Sequence, residues 1–183
     1  FIQKAHDALD EIAASAGITP VIIGTIRRES NNLFNTAAVL QDELVLAYRD
    51  KAHLPTYDVF DEDRYFTSAE SVKPIKLTID GRGYKLGLQV CEDLWDEAYD
   101  LKVSRELWSQ GAELLINISA SPFHVNRLYE RIELIKDKAN CLKCYFIYCN
   151  LVGAQDELIF DGQSCIISPA GRVVALYPAF EEN

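Results

Sequence analysis

Apolar residues at positions 1, 5, 8, 9, 12 and 13 recur with the period of a helix, and Gly17 supplies a stop, so the chain is predicted to open on a helix. Residues 20–26 form an unbroken apolar, β-branched run, the pattern of a strand covered on both faces. Two further strands, 36–40 and 43–48, are predicted around a tight turn at Gln41-Asp42. Residues 50–73 then lose all periodicity and mix aromatic with acidic residues; a long irregular stretch inside a compact domain usually carries function or motion. Periodicity returns with strands at 75–79 and 85–91 about Asp80-Gly81-Arg82-Gly83. A helix over 101–110 ends at Gly111, and a strand over 113–119 leads to a longer amphipathic helix over 126–141. Strands over 145–152, 164–168 and 172–177 close the chain, the last two joined at Pro169-Ala170-Gly171. Helices alternating with hairpins and buried strands predict an α/β fold of sheets covered by helices, with no repeat or linker to divide residues 1–183.

The size, 183 residues with 49% hydrophobic, is enough for one large core. A net charge of −10 argues against nucleic acid, which requires a basic face. No apolar run approaches the roughly 18 to 20 residues of a membrane span and no signal-peptide pattern is present, so a soluble, cytoplasmic protein without membrane partners is expected. Five cysteines in apolar stretches suit reduced thiols. Cys141 and Cys144 form a C-x-x-C without a second pair or a neighbouring histidine, so packing is favoured over zinc, and no metal site is predicted. The sequence has no methionine, hence no start residue of its own, and is expected to be a processed product or an excised piece.

Cys91 ends the apolar run Leu86-Gly87-Leu88-Gln89-Val90 and is followed at once by Glu92-Asp93. A thiol at the lip of a strand can meet a substrate, although a free cysteine is also among the most buried of residues. Lys51 follows another strand; were the two strands parallel neighbours, their tips would converge, and the ammonium would lower the thiol pKa and stabilise an oxyanion. Alone, Lys51 equally suits a solvated surface. Glu62 lies among Phe60, Tyr65 and Phe66, in either a solvated acidic loop or a packed cluster where a carboxylate needs a partner. Asn117 to His124 follow a third strand, with small hydroxyl residues that let a ligand approach and Arg127 placed to clamp a carboxylate; Ser and Asn there also suit helix caps. His53 and His124 lack the partners of a catalytic triad and are read as structural.

The ordered series Lys51-Ala52-His53-Leu54-Pro55-Thr56-Tyr57, Phe60-Asp61-Glu62-Asp63-Arg64-Tyr65-Phe66 and Val90-Cys91-Glu92-Asp93-Leu94-Trp95 resembles the nitrilase superfamily. With Asn117-Ile118-Ser119-Ala120-Ser121-Pro122-Phe123 and the segment from Asn150 to Gly162, it is most similar to the glutaminase domains carried by glutamine-dependent NAD synthetases. The resemblance spans nearly the whole chain. It implies a four-layer α-β-β-α sandwich and a Glu-Lys-Cys triad, with Cys91 as nucleophile and Lys51 as oxyanion stabiliser. The triad glutamate would precede Phe1, the fold being truncated at its N-terminus, and Glu62 would be the auxiliary glutamate. Tyr57, Ser121 and Arg127 would bind substrate, and the backbone N–H of Glu92 would complete an oxyanion hole.

The implied reaction is hydrolysis of the glutamine side-chain amide through a cysteine thioester, supplying ammonia for amidation of nicotinic acid adenine dinucleotide. This step needs no cofactor or metal; ATP and magnesium would belong to a synthetase domain beyond residue 183. Glutamine, that domain and further copies in a homo-oligomer are the implied partners. A stand-alone amidase for another amide, or an inert fragment that binds ligand or partner chains, remains the alternative.

Overall fold

The computed structural model describes residues 1–182. Helix α1 (Ile2–Ala13) precedes a meander of β1 (Val21–Glu29), β2 (Asn32–Gln41) and β3 (Leu44–Asp50), all antiparallel. Six further strands form a second sheet: β4 (Ile75–Ile79), β5 (Arg82–Val90), β6 (Leu114–Ser119), β7 (Tyr145–Asn150), β10 (Cys165–Ile167) and β11 (Val173–Leu176). Their order is β11-β10-β7-β6-β5-β4, with β5, β6 and β7 parallel. Helices α2 (Val103–Ser109) and α3 (Arg127–Leu142) make the two parallel crossovers, and a small hairpin of β8 (Val152–Gln155) and β9 (Leu158–Asp161) projects after β7. No helix among the described residues is long and apolar enough to cross a membrane.

Strand alternation sorts the apolar side chains into three cores, which define four layers. Ala38 and Leu40 on one face of β2 pack with Leu9 and Ala13 of α1. Ala37 and Val39 on the other face meet Leu86, Leu88 and Val90 of β5 between the two sheets. The far face of the second sheet packs Phe146, Tyr148 and Ile167 against Leu107, Ile132 and Ile135 of α2 and α3. This is the α-β-β-α sandwich that the resemblance implies. Gly87 makes room for the Leu115 side chain of β6 and for α2: a Cβ there would lie 2.4 Å from Leu115 Cδ2 and 3.3 Å from Leu107 Cβ.

Several local expectations are corrected. Strand β1 is covered on both faces only in part: it is an edge strand with none of its residues buried, Ile22 packing on the core between the sheets and Ile23 on the α1 core. The β2–β3 hairpin turns at Asp42-Glu43 rather than Gln41-Asp42, because both turn residues take positive φ (53° and 63°) while Gln41 pairs with Leu44. Phe1 and Ile12 fall off the buried stripe of α1. The run 145–152 divides at Leu151, so that Val152 starts the β8–β9 hairpin.

Candidate active site

Strand β5 delivers Cys91 to an abrupt turn. Val90 is still extended, Cys91 has φ +46°, and a 3₁₀ turn (Cys91–Leu94) begins there. A left-handed conformation at a residue with a side chain costs roughly 1 to 3 kcal/mol and persists only where neighbours hold it. The Asn117 amide on adjacent β6 donates to the Cys91 carbonyl at 3.2 Å, and the Ser119 hydroxyl donates to Asn117 Oδ1 at 2.6 Å. The elbow expected at the end of this strand is therefore present and braced.

Lys51 reaches the same place by another route. Strands β3 and β5 are not neighbours; they belong to different sheets, so Lys51 and Cys91 converge across the sandwich rather than along one sheet edge. The Lys51 side chain is only 1% exposed, which removes the surface reading, and its Nζ donates to Glu62 Oε1 at 2.6 Å. Glu62, 18% exposed, accepts from Asn35 Nδ2 through its other oxygen at 3.1 Å. Both carboxylate oxygens are thus engaged, and the packed-cluster reading of Glu62 holds.

Cys91, Lys51, Glu62 and Asn35 line one cavity of about 1020 Å³ between the sheets, with Ser119, Ile147, Cys149 and Ile166 among its other walls. Its size follows from the mismatch of three strands facing six, which leaves part of the inner face of β6, β7 and β10 uncovered. Burial pushes the Cys91 thiol above its ordinary range; the Lys51 charge and the Ser119 hydroxyl pull it down, while Glu62 and Glu92 push it up. Lys51 favours the thiolate as expected, but desolvation outweighs it.

Of the remaining predicted residues, Tyr57 meets the Glu92 side chain and Arg127 acts on Tyr57, while Ser121 lies elsewhere. The Tyr57 hydroxyl donates to both Glu92 carboxylate oxygens at 2.9 Å, and the Tyr99 hydroxyl donates to one at 3.1 Å. Arg127 lies over the Trp95 ring, 4.3 Å from its centroid, and its charge acts on Tyr57. Ser121 is not drawn to Arg127; its buried backbone N–H donates to Asn150 Oδ1 at 2.9 Å. His53 stacks on Tyr99 with centroids 3.9 Å apart, and its Nε2 lies 2.9 Å from the Leu101 carbonyl oxygen, in keeping with a structural role.

A model of the carbon-nitrogen hydrolase family matches residues 4–183. The chain belongs to the carbon-nitrogen hydrolase family. Over 184 residues this carbon-nitrogen hydrolase is 39% identical to the glutamine-dependent NAD(+) synthetase of Aquifex aeolicus, covering all of this chain and 31% of that protein. The corresponding synthetase of Thermotoga maritima is 37% identical, again over the whole chain and 31% of its length. Among solved structures, the glutamine-dependent NAD+ synthetase of Acinetobacter baumannii in complex with ADP superposes with a TM-score of 0.87 at 26% identity, covering 100% of this chain and 33% of that one. A carbon-nitrogen hydrolase from Helicobacter pylori shares the fold, with a TM-score of 0.81 at 23% identity over 98% of this chain and 65% of that one. The chain thus spans about a third of the length of the curated relatives it matches.

Several residues that shape this hydrolase site escape the motif pattern. Asn35 and Asn117 are polar positions within apolar strands, and a buried amide in such a run is a usable signal, because it must find partners. The Glu92 side chain is hidden behind the role that the resemblance gives its backbone N–H. Asp93 stands in the sequence only as part of a motif, yet it accepts three backbone N–H groups. Asn150, which holds Ser121, is in turn bonded to Asp161, the partner of fully buried Arg131.

Proposed function

We propose that the chain is the glutamine-hydrolysing part of a glutamine-dependent NAD+ synthetase. The observation that carries this reading is the Lys51–Glu62 pair beside Cys91 on its strained elbow, in a chain whose relatives bear that name. The Cys91 sulfur attacks the glutamine carboxamide carbon, and Lys51 with the Glu92 backbone N–H stabilises the oxyanion. Protonated nitrogen departs as ammonia, leaving a thioester on Cys91 that water hydrolyses to glutamate. Because burial raises the Cys91 pKa, its proton must pass to a base as attack proceeds. Glu62 is spent on Lys51 and Asn35 and serves as the auxiliary glutamate; the resemblance assigns the base to a glutamate that precedes Phe1 in the family pattern.

The amino-acid end of glutamine needs one anionic and one cationic partner. Glu92 and Arg127, brought near each other through Tyr57, supply them; Ser121, held by Asn150, is the further substrate contact that the resemblance implies. The ammonia is passed to a synthetase part that uses ATP and magnesium; the amidase step uses neither. Assembly into a homo-oligomer and a cytoplasmic location belong to the same proposal.

The test is release of glutamate and ammonia from glutamine by the full-length protein, with Cys91→Ala and Lys51→Met alongside. Turnover abolished by Cys91→Ala supports the reading. Turnover that survives Cys91→Ala, or hydrolysis of simple amides but not glutamine, would overturn it, the latter in favour of a general amidase.

A further inference from the structure

We infer that Asp93 is a positioning residue whose carboxylate staples the Lys51 loop to the Cys91 elbow and so sets the lysine against the sulfur. The inference rests on the reading of Cys91 as nucleophile and Lys51 as its cationic partner. These residues come from different sheets, so no strand ladder holds them in register. Asp93 supplies what the ladder does not. Its side chain is fully buried, one oxygen accepts the N–H groups of Ala52 and His53 at 3.0 Å each, and the other accepts that of Val90 at 3.0 Å. Ala52 and His53 directly follow Lys51, and Val90 directly precedes Cys91. One rigid side chain thus grips the main chain on both sides of the reacting pair.

A capping role explains only half of this arrangement. Bonding from the third residue of a turn back to the N–H before it is half of a capping box, and the Val90 contact is of that kind. The second oxygen is not needed for a cap, yet it is committed to N–H groups 40 and 41 residues away in sequence. Other bonds at Lys51 do not replace it. The Lys51 N–H donates to the Asn35 carbonyl and its own carbonyl accepts from Ala69, which ties it to its own sheet and loop. The Tyr57–Glu92 bond also joins the two segments, but six residues farther on and through a tyrosine that is half exposed.

Three N–H donors also explain how a carboxylate tolerates this depth. Burial pushes the Asp93 pKa up, and the N–H groups of Val90, His53 and Ala52 pull it down, aided by His53. Buried Arg49, two residues before Lys51, adds a nearby positive charge. The purpose of such a staple is distance control. Both the influence of Lys51 on a thiolate and its reach to an oxyanion fall off when the separation grows by an ångström or two.

The experiment follows Cys91 alkylation by iodoacetamide against pH, using mass mapping on the folded full-length protein. Lys51→Met is compared in three backgrounds: unaltered, Asp93→Asn, and Leu9→Ala as a core lesion in the α1 layer, away from the elbow. Asp93→Asn keeps the volume but sets an amide donor against an N–H. In the unaltered protein Lys51→Met should slow alkylation at neutral pH about tenfold, equal to roughly one unit in the thiol pKa. With Asp93→Asn the same change should alter the rate less than about threefold, whereas Leu9→Ala should retain the full effect. Asp93→Ser, short enough to keep only the cap, should behave like Asp93→Asn.

A Lys51 effect that is equally large with and without Asp93 would sink the staple while leaving the catalytic reading intact. No Lys51 effect in the unaltered protein would remove the catalytic reading and the purpose of the staple together. Loss of the folded state in both Asp93 variants would assign the residue to stability and overturn a positioning role.

Discussion

Lys51 Nζ lies 2.6 Å from Glu62 Oε1, and this pair is formed by an almost wholly buried cation and a carboxylate that still touches solvent. The asymmetry has an energetic consequence: the lysine has given up its hydration and depends on its partner, whereas the glutamate retains some water. Removing the charge of Glu62 should therefore hurt through Lys51. Glu62→Gln is expected to lower stability by about 1 to 3 kcal/mol, less than the loss for a wholly buried pair because the site is partly wet and the amide can still accept from Lys51. Urea unfolding of the two proteins measures it; a change within about 0.5 kcal/mol would mean that water or another group already supports Lys51.

Arg127 should decide selectivity. Its guanidinium stacks on Trp95 beside the Tyr57–Glu92 pair, where an α-carboxylate would complete its contacts. Arg127→Ala should remove a charge-assisted contact of roughly 1.5 to 3 kcal/mol, weakening glutamine about tenfold to a hundredfold while a simple aliphatic amide changes little. Competition of each amide against Cys91 labelling reports both affinities. Equal losses for the two would show that Arg127 supports the fold of the pocket and not the amino-acid end of the substrate.

The buried thiols predict an alkaline limit. Cys144 and Cys165 are pushed up by burial to about 11. A folded-state value above the unfolded one means that the stabilisation is complete below the ordinary thiol range, near pH 8.5, and is lost as pH rises through about 11. The melting temperature should fall across that window. Cys144→Ala with Cys165→Ala should melt lower at neutral pH because of the cavities, yet lose less between pH 8.5 and about 11. Parallel curves for the two proteins would assign the alkaline loss to other groups.

Gly87 tests the packing of the outer helical layer. A methyl there meets Leu115, Ala112 and Leu107, the nearest atom at 2.4 Å. Gly87→Ala should cost about 1 to 3 kcal/mol by overpacking, against the usual small gain from replacing glycine in a strand. A neutral or stabilising result in denaturant titration would show that the Leu115 side chain moves aside at little cost.

Much of this protein is legible in its sequence because it depends on residues that are neighbours along the chain. Periodicity marks α1, α3 and most strands, and the apolar run ending at Cys91 signals an elbow. Lys51, Glu62 and Cys91 form an ordered motif series that predicts the family and the layered fold. Where alternation is the only guide, the existence of a strand is read more securely than its burial. The run from Val21 has the pattern of a doubly covered strand, but how fully each face of an apolar edge strand is covered depends on what lies across from it, which no local pattern records.

Only the tertiary structure decided how Lys51 and Cys91 meet. Sequence motifs leave Lys51 and Cys91 as two strand ends, and the most economical reading makes them neighbours in one sheet. The fold instead opposes them across a sandwich, where side chains such as Asn117 and Asp93, rather than a backbone ladder, must hold the geometry. The state of the thiol was also beyond the sequence. A lysine nearby argues for a lowered pKa, but desolvation depends on the packing of atoms from every layer, and here it outweighs the charge. Residue types and their order determine which groups are available; long-range burial determines what each of them does.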